Sequence, residues 1–301
     1  MSFLLRNLLL SLILLPAAPM LLQGIVLKDA PDFSKQFEEA GVSGVLVVFD
    51  LDYDILWFHN QDLAEQRFAP ASTFKIPNSL FGLQSGVVEG QDTSFKWDGR
   101  ATWNAGWNQD QTFLTAFRHS AVWVYQEIAR NIGKEQMQAF LRQAHYGNQR
   151  IGGPVDSFWL DGSLKISPME QIDFLQKLYF KELPMSEDAQ QTVKEMMYLE
   201  DGPGWILRGK TGWATYQKPH LGWFVGWLET ERGVYFFANL LFMTSDSQAE
   251  LRKTIVRDML KGRGWMRFKR AYVGQAIKRF FSFLHAGKGG PVLYILKSKI
   301  F

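Results

Sequence analysis

The chain has 301 residues, of which 47% are hydrophobic and 21% are charged, and it has no cysteine. These proportions are typical of a globular protein with a sizeable core. The absence of cysteine excludes disulfides, cysteine nucleophiles and thiolate metal sites. The formal net charge is +3, but residues 265–301 hold eight Lys/Arg and no Asp or Glu, which leaves 25 basic and 30 acidic residues elsewhere. The body of the chain is therefore acidic, and we expect no nucleic-acid partner.

The first 22 residues are predicted to be a signal peptide. Arg6 supplies a positive charge, an apolar run follows, and Pro16-Ala17-Ala18 brings small residues. Prolines interrupt the apolar run, which argues against the alternative of an uncleaved membrane anchor. We therefore expect a periplasmic or secreted protein. Its expected parts are a signal peptide (1–22), one domain (23–264) and a basic extension (265–301).

Strand and helix patterns follow one another through the first part of the body. Residues 45–51 and 55–59 are apolar and aromatic and flank the turn Asp52-Tyr53-Asp54, which predicts a β-hairpin. Helical patterns of apolar residues come next, after Ser72 and over residues 113–132 and 135–145.

Two further helices are marked by their first residues. Ser167-Pro168-Met169-Glu170 combines a capping serine, proline at the first helical position and a capping-box glutamate. This pattern predicts a helix that ends at about Lys181. Ser186 is followed by Glu187 and Asp188, which predicts the start of the next helix.

Strand character returns near the end of the body. The segments 205–208, 222–228 and 234–242 are short, aromatic and β-branched, and residues 229–233 predict a turn between the last two. A helix over about 246–261 closes the body. Strands at both ends with helices between them favour an α/β protein of the α+β type, with one antiparallel sheet beside a helical region.

Ser72 lies three residues before Lys75 in the segment Pro-Ala-Ser-Thr-Phe-Lys. If this segment opens a helix, both side chains share one face, one turn apart. A hydroxyl beside an amine is a nucleophile beside a potential base. The pair alone is weak evidence, since a helix-capping serine and a surface lysine are common.

Three further motifs follow the serine–lysine pair in order: Ser120-Ala-Val, Tyr146-Gly-Asn and Lys210-Thr-Gly. A serine–lysine pair, a second serine motif and K-T-G are the signature of penicillin-recognising serine acyl-transferases. With Phe-Trp159-Leu-Asp-Gly and Gly-Trp-Phe-Val-Gly-Trp227, residues 30–262 resemble the class D serine β-lactamases, the oxacillinases. The resemblance implies the β-lactamase/transpeptidase-like fold and a β-lactam substrate, hydrolysed through an acyl-enzyme.

The resemblance implies a role for each matching residue. Ser72 is expected to become acylated, and Lys75 to react with carbon dioxide and become an N6-carboxylysine, the general base of both half-reactions. Trp159 is expected to donate its indole N–H to that carbamate, although it would also suit the core, and Val122 to pack over it. No metal and no other cofactor is implied.

The remaining matches concern substrate binding and proton transfer. Ser120 is expected to hydrogen-bond the lactam region, and Lys210 to add positive charge beside it, although a serine inside a helix is the alternative for Ser120. Gly212 is expected to let the substrate approach the strand closely. The remaining expected substrate-binding residues are Trp107, Thr211, Trp213 and Arg252. The backbone N–H of Trp213 is expected to form the oxyanion hole together with that of Ser72. Arg252 is expected to bind the substrate carboxylate.

Other functions remain to be weighed against hydrolysis. The five histidines form neither H-x-H nor H-E-x-x-H, so a metallo-hydrolase is not predicted. The main alternative is a penicillin-binding sensor or transpeptidase domain that is acylated without turnover. The basic extension is interpreted as a solvated segment or, alternatively, as one that contacts anionic membrane surfaces weakly. The sequence predicts no particular oligomeric state.

Overall fold

The computed structural model describes residues 25–266. The predicted signal peptide and residues 267–301 of the basic extension lie outside the described residues. Within 25–266 no helix is both long and apolar enough to cross a bilayer. The strands of this part are β1 (Val26–Asp29), β2 (Ser43–Asp50), β3 (Ile55–His59), β4 (Ser94–Phe95), β5 (Gln111–Thr112), β6 (Tyr198–Gly202), β7 (Trp205–Ala214), β8 (His220–Thr230) and β9 (Gly233–Met243).

Seven of these strands form one sheet in the order β1-β3-β2-β9-β8-β7-β6. Five of its six pairings are antiparallel, as the sequence predicts, and the hairpin of β2 and β3 is confirmed. The edge strand β1 instead pairs with β3 in parallel, so the sheet is mixed. The strand β1 has no signal in the sequence, because its four residues, Val-Leu-Lys-Asp, do not alternate in hydrophobicity.

Helices cover both faces of the sheet, which explains why β8 and β9 are nearly continuous apolar runs. One core cluster packs α1 and α8 on one face, and a larger one fills the helical region on the other. The helices are α1 (Pro31–Ala40), α2 (Lys75–Gln84), α3 (Phe113–His119), α4 (Val122–Ile132), α5 (Lys134–Gln143), α6 (Pro168–Phe180), α7 (Glu187–Met196) and α8 (Leu251–Gly262).

The prediction of a single helix over residues 113–132 is wrong. The structure has α3 and α4 there, separated by Ser120 and Ala121. Ser120 has a φ of 57°, in the left-handed region, so the right-handed helix cannot continue through it. The interpretation of Ser120 as a serine inside a helix is therefore wrong as well. Ser120 lies at a break between two helices.

The predicted helix starts at Ser167 and Ser186 are confirmed. The Ser167 hydroxyl accepts from the N–H of Glu170 at 3.1 Å, and the Glu170 carboxylate accepts from the N–H of Ser167 at 2.9 Å. Ser186 accepts from the N–H of Ala189 at 3.2 Å. The last predicted helix begins with a short 3₁₀ turn at Asp246–Glu250 and continues as α8.

The folded body extends slightly beyond α8. The ring of Trp265 stacks on that of Tyr235, with centroids 4.0 Å apart. Arg263 bonds both carboxylate oxygens of Asp32, at 2.7 and 2.8 Å, and its guanidinium lies 4.0 Å from the ring centroid of Trp57. The residues just after α8 thus attach it to α1 and the sheet.

Candidate active site

The serine–lysine pair lies where a 3₁₀ turn, Ala71–Phe74, runs into α2. Lys75 Nζ lies 3.0 Å from Ser72 Oγ, so the predicted pair forms. The turn is held from two sides, since the N–H of Ala71 donates to the carbonyl of Trp159 at 3.1 Å and the indole of Trp223 donates to Ala69 O at 2.8 Å. Ala71 has a φ of 49°, which is an unfavourable backbone conformation for any residue other than glycine. The surrounding structure maintains this conformation.

Lys75 is completely buried. Burial, and to a smaller extent the positive charge of Lys210, lower the pKa of its amine well below the ordinary value. Its Nζ lies 5.0 Å from the ring centroid of Tyr125. A buried lysine with this environment carries a neutral amine more readily than a surface lysine does, and a neutral amine can accept a proton.

Trp159 packs against the segment that carries this pair and is also fully buried. Its ring stacks on Phe74, with centroids 5.3 Å apart. Its indole N–H has no hydrogen-bond partner among residues 25–266. Since a buried donor without an acceptor costs free energy, this N–H is suited to an acceptor that the polypeptide itself does not supply, such as a carbamate on Lys75.

The Tyr146-Gly147-Asn148 motif supports the loop that carries Trp159. The Asn148 amide donates to Ser163 O and accepts from the N–H of Lys165, both at 2.9 Å. Gly147 has a φ of 53°, and a Cβ there would lie 2.1 Å from the carbonyl oxygen of Lys165. Glycine is therefore required at this point, and the motif positions Trp159 without touching the cleft.

The second serine–lysine pair joins the helical region to the sheet. Lys210, on β7, donates from Nζ to the Ser120 hydroxyl and, at 3.1 Å, to Thr211 O. The left-handed backbone at Ser120 allows this contact. Burial, and then the charge of Arg252, lower the pKa of Lys210 to about 7. Lys210 can therefore both lose and gain a proton near neutral pH.

The two serines face one cleft of about 620 Å³. Lys75, Trp159 and Lys210 lie behind its surface rather than on it. The predicted residues that line the cleft are Ser72, Trp107, Ser120, Val122, Thr211, Gly212, Trp213 and Arg252.

Arg252 is only partly available for a substrate carboxylate. Its Nε donates to Ala249 O at 2.5 Å and its Nη1 donates to Gly212 O at 2.8 Å. These bonds leave Nη2 and one N–H of Nη1 for an anion, so an end-on contact is available and a side-on contact through Nε is not. The guanidinium also lies 5.5 Å from the ring centroid of Trp213.

Gly212 lines the cleft, and it also has a structural role beside the expected one. A Cβ there would lie 2.9 Å from the carbonyl oxygen of Pro70 and 3.2 Å from the backbone nitrogen of Thr73. The missing side chain therefore lets β7 pack closely against the turn that carries Ser72.

We expect Gly212→Ala to lower the acylation rate by about tenfold or more, because a displacement of the nucleophile by a fraction of an ångström is costly. The measurement is the rate of adduct formation by rapid-quench mass spectrometry. Gly90→Ala is the control, since a Cβ there meets nothing within 4 Å. Equal acylation rates in the two variants would contradict this explanation of Gly212.

Several residues of the cleft are absent from the sequence-based prediction. Trp103, His220 and Asp246 line it, and His220 Nδ1 lies 3.5 Å from Asp246 Oδ1. Only Trp103 has a recognisable signal, because it precedes Trp107 by four residues within Thr-Trp-Asn-Ala-Gly-Trp. The His220–Asp246 pair joins β8 to the turn before α8, a proximity that only the fold creates.

Two serine–lysine pairs at one cleft, between a sheet and a helical region, define the class of penicillin-recognising serine acyl-transferases. The family model "Penicillin binding protein transpeptidase domain" matches residues 31–261. The chain is 43% identical over 234 residues to β-lactamase OXA-48 from Klebsiella pneumoniae, covering 78% of this chain and 88% of that protein. It is 38% identical over 235 residues to β-lactamase OXA-10 from Pseudomonas aeruginosa, covering 77% of this chain and 88% of that protein.

Solved structures agree with these relatives. The class D β-lactamase YbXI from Nostoc superposes with a TM-score of 0.76 at 43% identity, covering 77% of this chain and 98% of that chain. FUS-1 (OXA-85), a class D β-lactamase from Fusobacterium nucleatum, has a TM-score of 0.76 at 40% identity, covering 78% of this chain and 98% of that chain. The chain belongs to the class D β-lactamase family.

Proposed function

We propose that this enzyme hydrolyses the β-lactam ring of penicillin-type antibiotics, and so confers resistance to them, through an acyl-enzyme on Ser72. The observation that carries the proposal is the 3.0 Å contact between Ser72 Oγ and a fully buried Lys75. A serine hydroxyl needs an adjacent base to become a nucleophile, and burial makes this amine such a base. Membership of the class D family supports the substrate class.

Acylation follows from the geometry of the cleft. Ser72 Oγ attacks the lactam carbonyl carbon as the base at Lys75 takes its proton, and the carbon–nitrogen bond of the ring then breaks. The N–H of Ser72 belongs to the first turn of a helix, where backbone donors lack an intrahelical acceptor. This N–H and that of Trp213 are proposed to stabilise the oxyanion.

The leaving nitrogen needs a proton, and Ser120 is proposed to supply it. Lys210 donates to the Ser120 hydroxyl and has a pKa of about 7, so the pair can deliver a proton and recover one from solvent. Lys210 and the free N–H groups of Arg252 add positive charge for the substrate carboxylate.

Deacylation needs a base that activates water. Asp246 is the acidic side chain among the residues that line the cleft, but it is 75% exposed at the rim beside His220. We propose that Lys75 serves this step too, as an N6-carboxylysine formed from carbon dioxide. The carbamate would supply an anionic base beside Ser72, and the Trp159 indole N–H, which has no partner within residues 25–266, would donate to it. Val122 lines the cleft and is proposed to limit the access of water.

The pH dependence of kcat/KM should reflect the titration of the Lys210 amine. Below pH 7 its amine is cationic and attracts the substrate carboxylate, and above this pH it becomes neutral and the attraction is lost. We expect kcat/KM for an anionic penicillin to fall by about tenfold as the pH rises through this range, mainly through KM. Because a bound carboxylate raises the pKa of Lys210, the corresponding fall in kcat should lie at higher pH.

Full pH profiles of kcat and KM test this assignment. Lys210→Arg keeps the positive charge at all these pH values and should remove the alkaline fall in kcat/KM. The same alkaline fall in this variant would contradict the assignment to Lys210.

Steady turnover distinguishes a hydrolase from a sensor. Purified protein should convert many equivalents of a chromogenic cephalosporin in bicarbonate-containing buffer. Release of a single equivalent, with a stable adduct on Ser72, would instead favour the penicillin-binding sensor or transpeptidase.

We also propose that the protein is exported to the periplasm or secreted through residues 1–22, and that the basic extension contacts anionic membranes weakly. The extension carries eight basic and no acidic residues. Such a segment is attracted to anionic lipid.

Truncation after Met266 should leave turnover of a soluble substrate unchanged, because every proposed site residue precedes it. Truncation after Gly264 would also remove Trp265, which stacks on Tyr235. Met266 is therefore the better position at which to end the shortened protein. Binding to phosphatidylglycerol vesicles should fall on truncation, whereas binding to phosphatidylcholine vesicles should be weak for both proteins. A shortened protein that folds normally but loses most of its activity would contradict the prediction.

A further inference from the structure

The edge strand β1 carries apolar side chains that remain uncovered among residues 25–266. Val26 and Leu27, together with Ile25 just before the strand, are each between 46% and 57% exposed. Neighbouring exposed apolar side chains at the end of a sheet indicate contact with a partner. Natural proteins also cover or charge such an edge, since it otherwise pairs with other strands. This end of the sheet is therefore expected to have a partner.

The strand β1 also presents free backbone groups. The N–H of Val26 donates to Asp54 O at 2.9 Å, on the side of β3. Because successive residues of a strand direct their backbone groups to opposite sides, the N–H and C=O of Leu27 and Asp29 face away from β3. No other strand within the described part of the chain pairs with this side. The β1 edge is thus a template for one further strand.

The chain itself contains a segment that suits this edge. Residues 292–296, Val-Leu-Tyr-Ile-Leu, are apolar or aromatic throughout, and they follow Gly289-Gly290-Pro291. Side chains of this kind favour strands, and a proline is tolerated at the first position of a strand. An uncharged run of this composition promotes aggregation when it is exposed. Pairing with the body of the same molecule would remove that exposure.

The last described residues lie close to the β1 edge. Trp265 stacks on Tyr235 of β9. Tyr235 lies in the same lateral row of the sheet as Val26, through the pairings of β9 with β2, β2 with β3 and β3 with β1. Three strand spacings place Trp265 roughly 15 Å from the edge. The 24 residues 267–290 span on the order of 25 Å even as a flexible coil, so residues 292–296 can reach β1.

Charge favours the same occupant. A cavity of about 310 Å³ at the carboxyl end of β1 is lined by the carboxylates of Asp29 and Glu38, with Lys35 as its cation. Lys297 and Lys299 come directly after the apolar segment. A basic segment is attracted to this surface, whereas an anionic bilayer is repelled by its carboxylates.

We propose that residues 292–296 pair with the β1 edge of the same molecule as an eighth strand of the sheet. The covalent tether gives the segment an effective concentration in the millimolar range, which a second copy of the chain does not reach in dilute solution. The proposal goes beyond hydrolysis, because no residue of β1 lines the cleft. The weak membrane contact proposed above would then involve the basic residues within 267–288.

Hydrogen exchange, resolved to single amides by mass spectrometry, tests this docking in the protein with its complete extension. Truncation after Gly290 removes the segment, so exchange at the Leu27 and Asp29 amides should become faster by about tenfold or more. Amides of the central strand β8 should not change. Leu27→Pro in the complete chain removes an N–H that faces away from β3, and it should speed exchange within residues 292–296 to a similar extent.

Tyr53→Ala is the control, since Tyr53 is exposed in the turn between β2 and β3 and lies outside β1. This variant should keep the wild-type exchange at β1, and a single cooperative unfolding transition checks that each variant folds. Equal exchange at Leu27 and Asp29 in the complete and shortened chains would overturn the proposal. Protection that is lost on dilution would assign the edge to a second copy. Protection that requires phosphatidylglycerol vesicles would assign it to a bilayer, and either result would also overturn the proposal.

Discussion

Replacing Ser72 with alanine is expected to abolish hydrolysis, with a loss of more than about 10,000-fold in kcat, as is usual for a catalytic nucleophile. The substitution removes one half-buried hydroxyl, so the free energy of unfolding should change by no more than about 1–2 kcal/mol. Intact-mass spectrometry with a slowly hydrolysed β-lactam should show one adduct on wild-type protein and none on the variant.

Ser85→Ala is the matched control. Ser85 directly follows α2, and its hydroxyl donates to Gly82 O at 3.1 Å, away from the cleft. This variant should form the adduct at the wild-type rate. An adduct that persists on Ser72→Ala would show that another residue is the nucleophile.

The substitution Trp159→Ala should cause the acyl-enzyme to accumulate. The Trp159 indole N–H is the buried donor proposed to stabilise the carbamate on Lys75, so its loss should slow deacylation by about a hundredfold, comparable with the removal of one oxyanion-hole donor. Acylation should fall less, because the neutral amine of Lys75 remains a base. Added bicarbonate should restore part of the rate by mass action.

Two variants separate the N–H from the packing of the ring. Trp159→Phe keeps an aromatic ring beside Phe74 but removes the donor, so it should behave like Trp159→Ala in deacylation. Trp227→Phe is the control, since the Trp227 indole is also buried but donates to Glu229 at 2.8 Å. Normal deacylation in Trp159→Phe would assign the effect to packing alone.

The sequence predicts the elements whose signals are local. The capping box at Ser167 and the start at Ser186 are confirmed, because capping depends on residues three or four positions apart. The break between α3 and α4 is missed since Ser120-Ala121 contains neither glycine nor proline. The left-handed backbone at Ser120 accompanies a contact with Lys210, 90 residues away, which no local pattern encodes.

In the active site, too, local motifs are predictable from the sequence and properties that depend on the assembled fold are not. The motifs identify the residues that meet at the cleft, but burial decides their chemistry. The lowered pKa values of Lys75 and Lys210 arise mainly from burial in the assembled fold. The requirement for glycine at position 212 likewise comes from the approach of Pro70, on a distant segment.

The most direct test of the account is carbon-13 NMR of the enzyme with labelled bicarbonate, read together with its activity. If Lys75 is carboxylated, wild-type protein should show one carbamate resonance, absent from Lys75→Ala, that disappears in mild acid in parallel with turnover. Removal of carbon dioxide should abolish both, and bicarbonate should restore both. Full activity in carbon-dioxide-free buffer, with no carbamate resonance after labelling, would contradict the proposed base while leaving Ser72 as the nucleophile.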